Sequence, residues 1–165
     1  MKSESQVIIV MGVAGSGKTT IASLLARELN WNFYDADDFH SESNRVKMSQ
    51  NIPLTDEDRA GWLYSLQELI GRNIEHEKSI VLACSALKNS YRDLLMINEQ
   101  IKFVYLQGTY EQIKARLRQR TDHYMSAEML ASQFDILEEP QNALTIKVTQ
   151  TPQEIISIIK KGFSL

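Results

Sequence analysis

No feature of this 165-residue chain limits its fold more than residues 7–29, where the apolar run "VIIVM" passes through "GVAGSGKTT" into "IASLLAREL" without an intervening residue. Five consecutive apolar residues, mostly β-branched, suit a strand covered on both faces, the condition of a central strand in a parallel sheet. The apolar spacing of the last segment is that of a helix, expected over 18–29. Further runs repeat the alternation: "SIVLACS" precedes a predicted helix over 88–96, and "IKFVYL" one over 110–120. A weaker strand, "NFYDAD", and a last one, "LTIKV", bring the count to five, and a helix over 152–161 closes the series. Strands alternating with crossover helices make the fold class α/β. A chain of this length is expected to form one domain, 1–165, able to bury a core without disulfides or metals.

Two segments break the alternation. Residues 38–62 are polar and mixed, and "RTDHYMSAEMLASQF" interrupts the fourth crossover, so that a lid is expected over about 116–133. Such excursions carry substrate or close over it. The net charge of −3 and the pI near 5.6 give no global positive field for nucleic acid or an anionic membrane, which points to a small-molecule partner. Cys84 is the single cysteine, so no intramolecular disulfide can form, as suits a reducing compartment. No apolar stretch is long enough to span a bilayer and the first residues lack a signal-peptide core, so a cytoplasmic location is expected.

Gly12, Gly17, Lys18 and Thr19 fit GxxxxGK[ST] without a gap, after a strand and before a helix. Gly12, Val13, Ala14, Gly15, Ser16, Gly17, Lys18, Thr19 and Thr20 then form a cradle. Its backbone N–H groups converge on phosphate oxygens, and the helix N-terminus adds its positive end. Lys18 is expected to reach the β and γ phosphates and Thr19 to ligate Mg²⁺. The predicted ligand is a nucleoside triphosphate.

Asp35 and Asp37 stand two apart at the end of the second strand, where an extended backbone would send both carboxylates to one face, beside the cradle. One can orient Mg²⁺ through its waters while the other accepts the proton of an attacking hydroxyl; a solvated turn with Asp38 as third carboxylate is the alternative. Thr55 and Asp58 have capping-box spacing and read as a helix start. Arg59 falls in the first turn of that helix, against the dipole, which calls for an anionic partner: a protein carboxylate such as Asp56, or an acidic substrate. Lys88 and Arg92 lie four apart after the third strand, whose end, Cys84, Ser85 and Ala86, is small enough to admit a ligand. Cys84 itself reads as a buried small hydrophobe. Arg116 and Arg120 share a helical face, either a solvated basic face or lid arginines that neutralise charge developing on a triphosphate; the second reading is preferred. His40, His76 and His123 lack metal-ligand spacing.

Together "GVAGSGKTT", "DADDFHSESNRVKM", "IPLTDEDRAGWL", "CSALKNSYRDLL", "VYLQG" and "SQFDILEEP" resemble the gluconokinases, shikimate-kinase-like P-loop enzymes that phosphorylate D-gluconate. The resemblance implies the three-layer sandwich of P-loop NTPases, a five-stranded parallel sheet in the order 2-3-1-4-5 with helices on both faces and a small lid. It implies ATP and Mg²⁺, transfer of the γ-phosphate to the 6-hydroxyl of gluconate, and often a homodimer. It implies Asp37 as base or orienter of the hydroxyl and Asp35 as a metal contact through water. Arg59 and Arg92 would meet the sugar-acid carboxylate, with His40, Lys47, Ser85 and Lys88 nearby and Gln133 against substrate. Arg116 would lie near adenine, Arg120 on phosphate, and Thr151 with Pro152 beside the base. Ser41, Gln50, Asn51, Gly61 and Tyr124 depart from the family pattern, in which proline, glycine, proline and phenylalanine are usual. A kinase for shikimate, a nucleoside or a nucleotide is the first rival, weakened because shikimate-type enzymes carry a glycine-rich turn where this chain has "CSALK". A non-catalytic nucleotide-binding regulator is the second, and it would leave Asp35, Asp37 and Arg59 idle.

Overall fold

The run "VIIVM" is strand β1, Val7–Met11, and all its side chains are fully buried. The computed structural model describes residues 4–119 and 126–165. Four further strands, β2 (Asn32–Asp35), β3 (Ile80–Ala83), β4 (Ile101–Gln107) and β5 (Leu144–Lys147), pair with β1 and with one another only in parallel, in the order β2-β3-β1-β4-β5. This is the order the resemblance implies. Between them run α1 (Lys18–Leu29), α2 (Glu42–Ser49), α3 (Asp56–Glu75), α4 (Asn89–Leu95), α5 (Tyr110–Arg118), α6 (Ala127–Ile136) and α7 (Pro152–Gly162).

The alternation of side chains along β1 builds the layers. Ile8 and Val10 pack on Ile21 and Leu25 of α1, Ile113 of α5 and Ile159 of α7. Val7, Ile9 and Met11 face the other way, onto Trp62, Leu66 and Ile70 of α3 and Tyr91 and Leu95 of α4. Parallel register sets the carboxyl ends of β1, β2 and β3 side by side, with Ala83 level with both Val10 and Asp35, and loops leaving there share one rim. No described helix is long and apolar enough to cross a membrane.

The segment 38–62 is more regular than its sequence suggests. It holds a 3-10 turn, Ala36–Phe39, then α2, and from Asp56 onward it belongs to the twenty-residue α3. Helix α2 has no apolar stripe; Asn44 is its one buried residue, so periodicity cannot reveal it. A cap starts it instead, Ser41 Oγ accepting from the Asn44 N–H at 3.1 Å. Asn51 has φ 59, a left-handed conformation that asparagine tolerates better than most residues. Of the "RTDHYMSAEMLASQF" segment, the second half is helix α6, capped by Ser126; Arg120, His123 and Tyr124 lie outside the described residues.

The predicted capping box is present. Thr55 Oγ1 accepts from the Asp58 N–H at 3.1 Å, and Asp58 Oδ2 accepts from the Thr55 N–H at 3.0 Å. Lys47 Nζ donates to both Asp58 oxygens at 2.9 Å, which ties α2 to α3. The Thr55 N–H, then Lys47, hold the Asp58 carboxyl at about 2, below its ordinary 3.8. A depressed carboxyl contributes stability that is complete above its unfolded pKa and disappears as pH falls through the folded one. The melting-temperature gap between the unsubstituted protein and Asp58→Asn should therefore stay constant down to about pH 5 and close between about pH 4 and pH 2. A gap that persists unchanged at pH 2 would contradict this assignment.

Candidate active site

The loop between β1 and α1 is an anion cradle by its backbone. Gly17, at the N-cap of α1, has φ 94, no side chain caps the helix, and no acidic residue stands in its first turn. The first-turn N–H groups and the positive helix end are thus unopposed. Gly12 is needed for close approach: a Cβ there would lie 2.6 Å from Ser16 Oγ and 3.1 Å from the Leu106 carbonyl oxygen. Ser16 and Val13 are buried beneath the loop.

Asp35 ends β2 and joins the cradle to the next turn. Its Oδ2 accepts from Thr19 Oγ1 and its Oδ1 from the Asp37 N–H, each at 2.9 Å. Asp37 therefore lies in the 3-10 turn that Asp35 caps, not in the strand, and strand alternation does not align the pair as the sequence reading assumed. The turn brings both to the same cavity by another route. A hydroxyl and a carboxylate in contact are hard oxygen donors, and the described residues offer no cluster of three or more His, Cys, Asp or Glu. That donor set fits Mg²⁺, which keeps much of its shell as water and phosphate.

A cavity of about 680 Å³ opens over the cradle. Of the sequence-predicted site residues, Ala14, Gly15, Gly17, Lys18, Thr19, Thr20, Asp35, Asp37, Arg59, Ser85 and Gln133 line it. The α2–α3 connection adds Asn51, Pro53 and Leu54, and Leu117 of α5 and Met129 and Ser132 of α6 also line it. Sequence reasoning marked those segments without assigning these residues to the site, since their types carry no charge pattern. Gln133 Oε1 accepts from the Ala14 N–H at 2.7 Å, so α6 touches the cradle directly. A second cleft, about 450 Å³, lies between Glu28 of α1 and the C-terminal helix and is lined by no predicted site residue.

Several expected contacts have other partners. Arg92 is buried and donates to the carbonyl oxygens of Ala86 and Glu138, each at 2.6 Å, and to Asn89 Oδ1. It is a brace for the loop after β3, outside the cavity lining, and the carboxylate contact expected of it is not what its geometry offers. Lys88 pairs with Asp56 at 2.8 Å and Lys47 with Asp58, so neither faces the cavity. His40 stacks on Trp62 with ring centroids 4.5 Å apart, and its Nδ1 lies 3.3 Å from Asn44 Nδ2. Burial holds its pKa below the usual 6.5 against the opposing pull of Asp37. Trp62 Nε1 donates to the Ala36 carbonyl at 2.7 Å, between the two aspartates in sequence, so this stack supports the turn from behind. Cys84 is fully buried, its thiol pushed up to about 12 by burial, which makes it the inert hydrophobe its sequence context implied.

Arg116 comes close to the cradle; a Cβ on Gly17 would sit 3.4 Å from its Nη2. Arg116 Nη1 donates to the Val148 carbonyl at 3.1 Å, which links α5 to the segment before α7. Thr151 there forms a capping box with Glu154 at the start of α7, Pro152 is the first helical residue, and Thr151 and Pro152 are both exposed.

Arg59 is the guanidinium that does line the cavity. Asp56 does not pair with it, being held by Lys88; instead Arg59 Nη1 donates to the Leu54 carbonyl at 2.7 Å and to Tyr91 Oη at 3.1 Å. Both hydrogens of Nη1 are thereby used. The Nε and Nη2 edge has no hydrogen-bond partner among the described residues, and it is the edge that grips a carboxylate side-on with two parallel bonds.

The shikimate kinase family model matches residues 14–160, and a probable gluconokinase of Mus musculus is 42% identical, covering 94% of this chain and 96% of its own. The chain belongs to the shikimate kinase family and, within it, to the gluconokinases. Solved members share the fold closely: a sugar kinase from Janibacter superposes with a TM-score of 0.90 at 40% identity, covering 97% of this chain and 95% of that one. A gluconokinase from Sinorhizobium meliloti does so with 0.87 at 34%, covering 99% and 94%.

Proposed function

We propose that the protein transfers the γ-phosphoryl group of ATP to the 6-hydroxyl of D-gluconate, giving 6-phospho-D-gluconate and ADP. Relatives named gluconokinase over nearly the whole chain support the reading. One observation carries it: the cradle, the Asp37 carboxylate and an arginine with an unpaired edge line the same cavity. Cradle amides and Lys18 hold the phosphates, and Lys18 counters charge as it moves toward the leaving oxygen. Thr19, and Asp35 through water, would hold Mg²⁺, which would neutralise phosphate charge. Asp37 takes the proton of the 6-hydroxyl as its oxygen receives the phosphoryl group and ADP departs. Arg59 grips the carboxylate at the other end of the sugar acid, with Ser85 and Gln133 beside it; Arg116 and Arg120 belong to the nucleotide, and Thr151 and Pro152 to the surroundings of its base.

Gluconate and glucose share the 6-hydroxyl but not the carboxylate, so the Arg59 edge stays unpaired with the neutral sugar. Catalytic efficiency should favour gluconate by at least about 10²-fold. Arg59→Lys should shrink that ratio by about tenfold, chiefly by weakening gluconate, because an ammonium cannot reproduce the planar fork. Measuring ADP release with both sugars and both proteins decides the matter. Equal efficiency on glucose and gluconate would contradict the sugar-acid reading, and a ratio untouched by Arg59→Lys would remove Arg59 from the clamp.

A further inference from the structure

The residue that orients Arg59 belongs to neither the cradle nor the substrate segment. Tyr91 lies on α4, its ring buried in the core against α3, so its hydroxyl is placed by packing and not by a solvent-facing rotamer. That hydroxyl touches Asp56 Oδ1 on one side and Arg59 Nη1 on the other. The sense of the two bonds is fixed. A carboxylate only accepts and a guanidinium only donates, so the single Tyr91 proton goes to Asp56 and a lone pair faces Arg59. Burial, then the Asp56 bond, raise the Tyr91 pKa above its usual 10.0, so the phenol keeps the proton this chain of bonds requires. Lys88 closes the chain by donating to the same Asp56 oxygen at 2.8 Å. The Arg59 guanidinium carbon also lies 5.5 Å from the centre of the Tyr91 ring.

We propose that Tyr91, held by Asp56, is the positioning residue that sets acceptor specificity: with the Leu54 carbonyl it fixes both hydrogens of Arg59 Nη1 and so aims the Nε and Nη2 edge at the carboxylate of a sugar-acid acceptor. This rests on the reading that Arg59 binds that carboxylate. Specificity is then set partly from α4, beyond the reach of substrate. The "CSALKNSYRD" segment also gains a purpose that its basic residues do not supply, since Lys88 serves Asp56 and Arg92 braces the loop.

The test is a kinetic cycle with the full-length protein: unsubstituted, Tyr91→Phe, Arg59→Lys and the double variant. Phenylalanine keeps the ring and its packing and removes only the hydroxyl. Tyr91→Phe should raise the gluconate KM about five- to tenfold, as expected for losing a hydrogen bond to a charged group, while the ATP KM stays within about twofold. In the Arg59→Lys background the same substitution should change gluconate KM by less than about twofold, because no fork remains to be aimed. A purely structural role would lower the melting temperature and move both substrates' constants together. An unchanged gluconate KM in Tyr91→Phe, or an equal rise in both backgrounds, overturns the proposal while leaving the Arg59 reading intact. If Arg59→Lys itself leaves gluconate KM unchanged, the carboxylate reading fails and this proposal with it. Should Tyr91→Phe not fold, Asp56→Asn, at an exposed position, removes the charge that holds the phenol and should raise gluconate KM about threefold; no rise there overturns the proposal equally.

Discussion

Lys18→Ala is expected to lower kcat on the order of 10²-fold, a loss of about 3 kcal/mol of transition-state stabilisation, with the fold untouched. Lys18 is the first residue of α1 and its ammonium makes no hydrogen bond or ion pair to another described residue, so nothing in the core depends on that charge. Alanine is also the better helix former. The ammonium matters only to a ligand, and most when charge moves from the transferring group toward the leaving oxygen. Steady-state turnover at saturating ATP, with a thermal melt as control, reads the effect. Turnover within a few-fold of the unsubstituted protein would show that the cradle amides suffice and that Lys18 is no catalyst.

Asp37→Asn should cost about 10²- to 10⁴-fold in kcat and leave ATP affinity within about twofold. The separation follows from the turn. Asp37 contributes its backbone N–H to Asp35, a bond that asparagine keeps, and the Thr19 to Asp35 contact is unaffected. The carboxylate itself makes no hydrogen bond to a described residue and faces the cavity, so the substitution removes a proton acceptor and little else. Titrating a non-hydrolysable ATP analogue by calorimetry alongside turnover measures both sides. Weakened nucleotide binding with normal turnover at saturation would move Asp37 from the hydroxyl to the metal.

The parts of the fold that periodicity and caps encode were legible in the sequence. "VIIVM", the helix at Lys18–Leu29 and the Thr55/Asp58 capping box all lie where residue pattern alone sets them, because burial on both faces, a helical stripe and a cap are local facts. Helix α2 was not legible, since a polar helix held by Ser41 and by Lys47 on Asp58 has no stripe to read. In the site, the backbone cradle could be read at once, whereas the long cations could not. Arg59, Lys88 and Arg92 all look available in sequence, and only tertiary partners separate them: carbonyl oxygens take Arg92, Asp56 takes Lys88, and Tyr91 with Leu54 restrains one nitrogen of Arg59. Asp35 and Asp37 teach the same lesson on a smaller scale. Their shared cavity was expected from strand alternation and arises from a capped turn.

The central claim is a bond made to one oxygen of one substrate, and phosphorus NMR of the reaction with ATP, Mg²⁺ and D-gluconate reads that bond directly. The account predicts a single new phosphate monoester signal, split by the two hydrogens on carbon 6 of gluconate, growing in step with ADP and forming at least about 10²-fold more slowly when glucose replaces gluconate at equal concentration. Release of ADP with inorganic phosphate alone, or an ester on a different hydroxyl, would contradict it.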